Sequence, residues 1–160
     1  MSRYGELTAK VDAFFARVQA RHGSDMQCGS GCSDCCHVRL SVTAVEAHAI
    51  RELVAAWPAE QRTALVERAR AAAIDRCAAL DDAGRCAIYT ARPITCRSHG
   101  APIRMREGAL PVVRTCFRNF TQTAPDADCV LDQQTLSALV LAVNDRDDAR
   151  IDLAELLSTC

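Results

Sequence analysis

Apolar positions recur at helical spacing along much of the chain. Leu7, Val11, Phe14, Phe15 and Val18 share one face of a helix predicted over residues 4–21, which Gly23 ends. Thr43-Ala-Val-Glu46 has the form of a capping box and opens a second helix reaching Trp57. Pro58 suits the first turn of a third helix, predicted from Ala59 to about Leu80 because the stretch is rich in Ala and Arg. Asp81-Asp-Ala-Gly84 reads as a turn. Residues 85–120 change character, with Pro93, Gly100, Pro102, Gly108 and Pro111 breaking any helical period. Within them, Ile103 to Arg106 and Leu110 to Thr115 around Glu107-Gly108 suggest a short hairpin. A helix over 132–144 carries Leu136, Leu139, Val140 and Val143 on one face, and a last short helix is predicted over 148–157.

This pattern has no repeat, low-complexity tract or linker, and 160 residues suit a single domain. The fold class expected is mainly α: a small helical domain wrapped around a cysteine-rich irregular metal-binding core, with a short β-hairpin as the one optional strand element. At 49% hydrophobic and 24% charged, the composition is globular and excludes a wholly disordered or collagenous chain. A net charge of −1 argues against a surface built for nucleic acid or an anionic membrane. Aromatic residues are only 4%, so aliphatic side chains must fill the core.

Ten cysteines change the picture. Met1 to Lys10 contains no apolar signal-peptide run, and nothing later approaches the roughly 18 apolar residues of a membrane span. The expected compartment is therefore the cytoplasm, where clustered thiols more often bind metal or do redox chemistry than form structural disulfides. Cys28-Gly-Ser-Gly-Cys32-Ser-Asp-Cys35-Cys36 packs four thiols into nine residues, separated by small residues that let the backbone fold around an ion. Thiolates suit a zinc tetrahedron and equally suit iron–sulfur clusters. Adjacent Cys35 and Cys36 complicate one mononuclear site, since neighbouring side chains tend to point apart. Cys77, Cys86, Cys96 and Cys116 follow at wider spacing.

These residues resemble the YkgJ-type CxxCxxCC family, a group of proposed zinc- or iron-chelating proteins. The resemblance lies in Cys32-Ser-Asp-Cys35-Cys36, then Arg76-Cys77-Ala-Ala-Leu80, Gly84-Arg-Cys86-Ala-Ile-Tyr89 and Ala91-Arg-Pro-Ile-Thr-Cys96-Arg97, and spans residues 28–120. It implies a cysteine core there; the helices expected on either side lie outside the match and rest on the apolar periodicity alone. It also implies eight metal-binding cysteines: Cys28, Cys32, Cys35, Cys36, Cys77, Cys86, Cys96 and Cys116. One departure is the three residues, not two, between Cys28 and Cys32.

Eight thiolates would serve two four-cysteine zinc sites, or one [4Fe–4S] cluster with four thiols to spare. Arg92 and Arg97 flank Cys96 and could offset the negative charge. Tyr89 is expected to pack at the edge of the site and Pro93 to fix a turn. His37 and His99 are secondary candidates as ligands. Cys129 is expected to be buried, and the terminal Cys160 to fray. Cys28-x3-Cys32-x2-Cys35 also resembles the cluster motif of radical S-adenosylmethionine enzymes, but the helices after Cys36 do not suit their β/α barrel.

Zinc or iron held for structure, storage or delivery is the favoured function. The alternative is an iron–sulfur protein in electron transfer or cluster-assisted modification such as methyl transfer, since the family's domain resembles part of bacterial flagellin lysine methylases. No nucleophile–base pair or phosphate loop defines an enzyme. The expected partner is the metal ion. A nucleic-acid-binding zinc ribbon is disfavoured, although Arg104, Arg106 and Arg114 share the proposed hairpin.

Overall fold

The computed structural model describes residues 2–29 and 31–160. Among these, six α-helices run as α1 (Arg3–His22), α2 (Ala44–Ala55), α3 (Ala59–Arg70), α4 (Ile94–Ser98), α5 (Gln133–Val143) and α6 (Leu153–Leu157). Short strands interrupt them: β1 (Ser41–Val42), β2 (Ile103–Glu107), β3 (Leu110–Arg114), β4 (Leu131–Asp132) and β5 (Ile151–Asp152). The chain is mainly helical, as the apolar periodicity predicts. No helix among the described residues is long and apolar enough to cross a membrane.

Two compact units emerge, each assembled from separated stretches of sequence: residues 1–29 with 94–146, and residues 30–93 with 147–160. In the first, Ser2 caps α1 by accepting the backbone N–H of Gly5 at 3.0 Å, which satisfies one donor that the first turn leaves unpaired. The buried stripe of Tyr4, Leu7, Val11 and Val18 seats α1 against α4 and α5. Val18 meets Met26, Phe120 and Cys129, with Phe14 and Phe15 packed around them, so Cys129 is a core residue as expected.

The hairpin of the first unit is β2 against β3, paired from Ile103↔Arg114 to Glu107↔Leu110. That register leaves Gly108 and Ala109 as the turn, and Gly108 takes φ +62° there, a value that costs glycine nothing. Pro111 is tolerated because β3 lies at the sheet edge. β4 adds a parallel third strand on the other side of β2, a pairing of two residues that carries no periodicity to read. Asp132 then caps α5, its carboxylate accepting the N–H of Thr135 at 2.8 Å.

In the second unit the capping box at α2 forms. The backbone N–H of Thr43 donates to the Glu46 carboxylate at 2.8 Å. Ile50 and Val54 of α2, Leu65 of α3 and Leu153, Leu156 and Leu157 of α6 close into one apolar core. The C-terminal stretch is tied in by the β1–β5 pair, Ser41↔Asp152 and Val42↔Ile151. Arg39 grips the Asp152 carboxylate in a two-pronged bond at 2.6 and 3.1 Å. Cys160 does not fray: it packs against this core, its thiol facing the carbonyl of Leu156 at 3.4 Å.

α3 stops at Arg70, well short of the predicted end near Leu80. Residues 71–80 have the composition of a helix, but their backbone groups are claimed elsewhere. The N–H of Cys77 goes to the carbonyl of Cys36, and the carbonyl of Ala79 accepts from Ala87. Tertiary pairing outweighs the fractions of a kcal/mol by which alanine favours helix. The last helix likewise begins at Leu153, not at 148, because 151–152 are taken by β5.

Candidate metal centre

Four thiols of the second unit, Cys35, Cys36, Cys77 and Cys86, are carried by two backbone pieces tied to one another. The first is a tight turn over Asp34–Cys36, closed by the Cys36 N–H donating to the carbonyl of Ser33 at 2.8 Å. The second is a loop from Cys77 to Cys86, closed by an antiparallel bridge between Leu80 and Cys86 and by Ala87 N–H to Ala79 O at 2.8 Å. The predicted turn at its tip is present. Asp81 holds it by accepting the N–H groups of Ala83 and Arg85 at 2.9 and 2.7 Å. Gly84 sits there at φ +73°, with Ser33 directly over it. Cys77 N–H to Cys36 O, at 2.7 Å, joins the two pieces.

The thiols act on one another. A hydrogen bond that the Cys36 thiol gives to its neighbour Cys35, then burial, then the charges of Cys35, Cys77 and Cys86 push the Cys36 thiol far above its ordinary range. Burial raises Cys77 and pushes Cys86 up to about 11. Cys35 and Cys36 are thus within hydrogen-bonding reach of one another.

Opposing that cost, backbone N–H groups are aimed at sulfur. Those of Ala79 and Leu80 bond to Cys77 and that of Ile88 bonds to Cys86, each favouring the thiolate. The Arg92 guanidinium also lowers Cys86. Arg92 is placed by Tyr89, lying over its ring at 4.1 Å and donating to its carbonyl at 3.1 Å. The ring itself is 61% exposed and so works as a support for Arg92 rather than as packing. Pro93 is fully buried.

Cys28, Cys96 and Cys116 belong to the first unit. The Cys28 sulfur accepts from Asn119 Nδ2 at 3.2 Å and lies against Gly100, where any Cβ would collide with it. Cys96 is on α4, just before that glycine, and the carbonyl of Cys116 accepts the backbone N–H of Asn119 at 2.8 Å. Arg97 is not exposed beside Cys96; it is buried and paired with Asp12 of α1 at 2.5 Å. Cys32, His37 and His99 are exposed. Asn119 carried no signal that sequence reasoning could have used, because a lone Asn three residues after a cysteine reads as an ordinary turn.

The donor chemistry suits a thiophilic metal: thiols, N–H groups bonded to sulfur, and the Arg92 cation to offset negative charge. Among the described residues, however, no group of three or more His, Cys, Asp or Glu side chains is placed so that it could hold a metal ion.

Residues 27–130 match the family model named CxxCxxCC, "Putative zinc- or iron-chelating domain". The chain belongs to this family. Its match covers both the tetrad at 35–86 and the thiols at 28, 96 and 116. No curated protein and no solved structure matches the chain.

Proposed function

We propose that the chain holds zinc or iron through its family cysteines, Cys28, Cys32, Cys35, Cys36, Cys77, Cys86, Cys96 and Cys116, in a structural or metal-handling role. The observation that carries this reading is the mutual approach of Cys35, Cys36, Cys77 and Cys86 on two backbone pieces joined at Cys36 and Cys77. Free thiols packed this way penalise one another when ionised. A bound cation reverses the sign of that penalty, because each thiolate is then stabilised by the metal and by its N–H partners.

A metal bound there supplies a Lewis-acidic cross-link, or a redox centre if it is iron–sulfur. The chain's own residues order it. Ala79, Leu80 and Ile88 N–H groups orient sulfur, Arg92 offsets charge, and the apolar core behind Cys77 excludes water on that side. Reduced thiols in this number suit a reducing compartment, which supports a cytoplasmic location.

Thermal unfolding with and without a strong chelator tests the reading. The intact chain should lose much of its unfolding temperature to the chelator, whereas Cys77→Ser should start low and show no further loss. Equal unfolding of the intact chain in both conditions would count against it.

A further inference from the structure

His22 closes α1, and its side chain is only 12% exposed. Both ring nitrogens face carboxylates, and these come from distant stretches of chain. Nδ1 lies 3.7 Å from Asp25, in the turn that follows the helix, and Nε2 lies 3.4 Å from Asp126. The backbone N–H of Asp126 also points at Nε2, at 3.4 Å. The ring meets Phe120 in an edge-on contact, with centroids 5.2 Å apart and planes at 64°.

Phe120 opens the segment that these contacts hold. Its backbone takes φ +54°, a region that bulky residues rarely enter, and its N–H donates to the carbonyl of Asp25 at 2.8 Å. At the far end, the Asp126 carbonyl accepts the N–H of Cys129 at 2.9 Å, and Cys129 packs with Phe120 on Val18. Arg21 takes the Asp128 carboxylate at 2.7 Å and approaches that of Asp126 at 3.5 Å. Arg17 donates to the Asp128 carbonyl at 3.1 Å. The charged groups around the imidazole are therefore Asp25 from the turn, Asp126 and Asp128 from the docked segment, and Arg21 and Arg17 from α1.

A neutral imidazole has one N–H and one bare nitrogen. To accept the Asp126 N–H, Nε2 must be the bare one, which leaves the proton on Nδ1, facing Asp25. An imidazolium has two N–H groups and no acceptor. Its Nε2–H cannot share that space with the Asp126 N–H, but it has the Asp126 carboxylate within reach. We infer that His22 is a proton-operated clasp on the segment from Phe120 to Cys129. Neutral, it holds Asp126 by the main chain; charged, it holds the same residue by its carboxylate and bridges it to Asp25. The segment stays docked in both states, because Phe120, Arg17 and Arg21 hold it as well. What the proton changes is whether the main chain at Asp126 is engaged. The clasp is independent of the metal-binding reading.

Nuclear magnetic resonance of the reduced, 15N-labelled full chain tests it across about pH 5 to 8, the interval in which histidine ordinarily changes charge. At the alkaline end the His22 ring nitrogens should show the Nδ1–H tautomer, the opposite of the form that free histidine prefers. As the ring protonates, the Asp126 amide proton should move upfield with the same midpoint and lose its protection from hydrogen exchange, after correction for the intrinsic rate. The Phe120 amide should stay protected throughout. His22→Gln should keep its far-UV dichroism and leave the Asp126 amide without that titration; if the variant does not fold, ring and amide of the intact chain still decide. An Nε2–H tautomer at the alkaline end overturns the clasp, as does a ring that does not titrate or an Asp126 amide that ignores its protonation. An Asp126 amide that titrates equally in His22→Gln assigns the change to its own carboxylate and overturns it too. Protection lost at Phe120 together with Asp126 means that the segment undocks, and overturns the exchange of one hold for the other.

Discussion

Cys77 donates its backbone N–H to the carbonyl of Cys36 at 2.7 Å. This bond joins two stretches well separated in sequence, and both cysteines meet the same apolar core, Cys77 within it and Cys36 packed against it. It also explains the early end of α3, since the backbone of Cys77 cannot both continue a helix and pair with Cys36.

Metal content and stability should fall together when the tetrad is broken. Cys77→Ser is expected to lose bound metal and roughly 5 kcal/mol or more of stability, since structural zinc supplies on the order of 10 kcal/mol in small domains. Cys160→Ser should keep its metal, because that thiol packs against the apolar core and faces the Leu156 carbonyl. Metal analysis and urea unfolding of both variants check this. A Cys77→Ser chain with full metal would contradict it.

Without metal, the same thiols should make the fold sensitive to alkali. Burial pushes Cys86 from the ordinary 9.0 up to about 11. Between those values an unfolded chain has released the proton that the folded chain still holds. The contribution is therefore complete below pH 9 and declines as pH rises to about 11. Chelator-treated protein should show this fall in its urea midpoint, and Cys86→Ser should flatten it. A profile equally steep in the variant would assign the titration elsewhere.

Gly100→Ala should destabilise the chain by roughly 1–3 kcal/mol from backbone strain alone. Displacement of the Cys28 sulfur adds to that loss. Gly108→Ala, in a hairpin turn with open space around it, should lose less. Urea unfolding of the two variants compares them, and an equal loss would show that the sulfur contact costs nothing.

Much of the helical framework was legible because its signals are local. Thr43 opens a capping box, and the stripes on α1 and α5 follow a helical period. The turn at Asp81–Gly84 and the hairpin around Gly108 were legible for the same reason. The two-residue strands β1, β4 and β5 were not, since their pairing depends on residues far away in sequence. The cysteines were legible as a set from their spacing and family likeness. Which of them approach one another was not, because that is settled by bonds such as Cys77 to Cys36 and by Asn119.

Asp152 has two roles, capping α6 through the N–H of Glu155 at 3.0 Å and pairing with Arg39. Asp152→Ala should cost about 1 kcal/mol for the cap alone. The Arg39 hydrogen bond holds this carboxyl below its ordinary 3.8, so its contribution is present above that value and is lost as pH falls through the lowered one. Urea midpoints at neutral and acid pH should therefore differ less in Asp152→Ala than in the intact chain. A variant that kept the whole acid dependence would show that other carboxylates govern it.

The central claim is that this cysteine set binds metal. It is tested most directly by zinc, iron and acid-labile sulfide analysis of the full chain purified without oxygen, with its visible spectrum. The account predicts tightly held zinc without colour, or iron with matching sulfide and a brown absorbance. A folded chain that carries neither metal, and whose ten cysteines all titrate as free thiols, would contradict it.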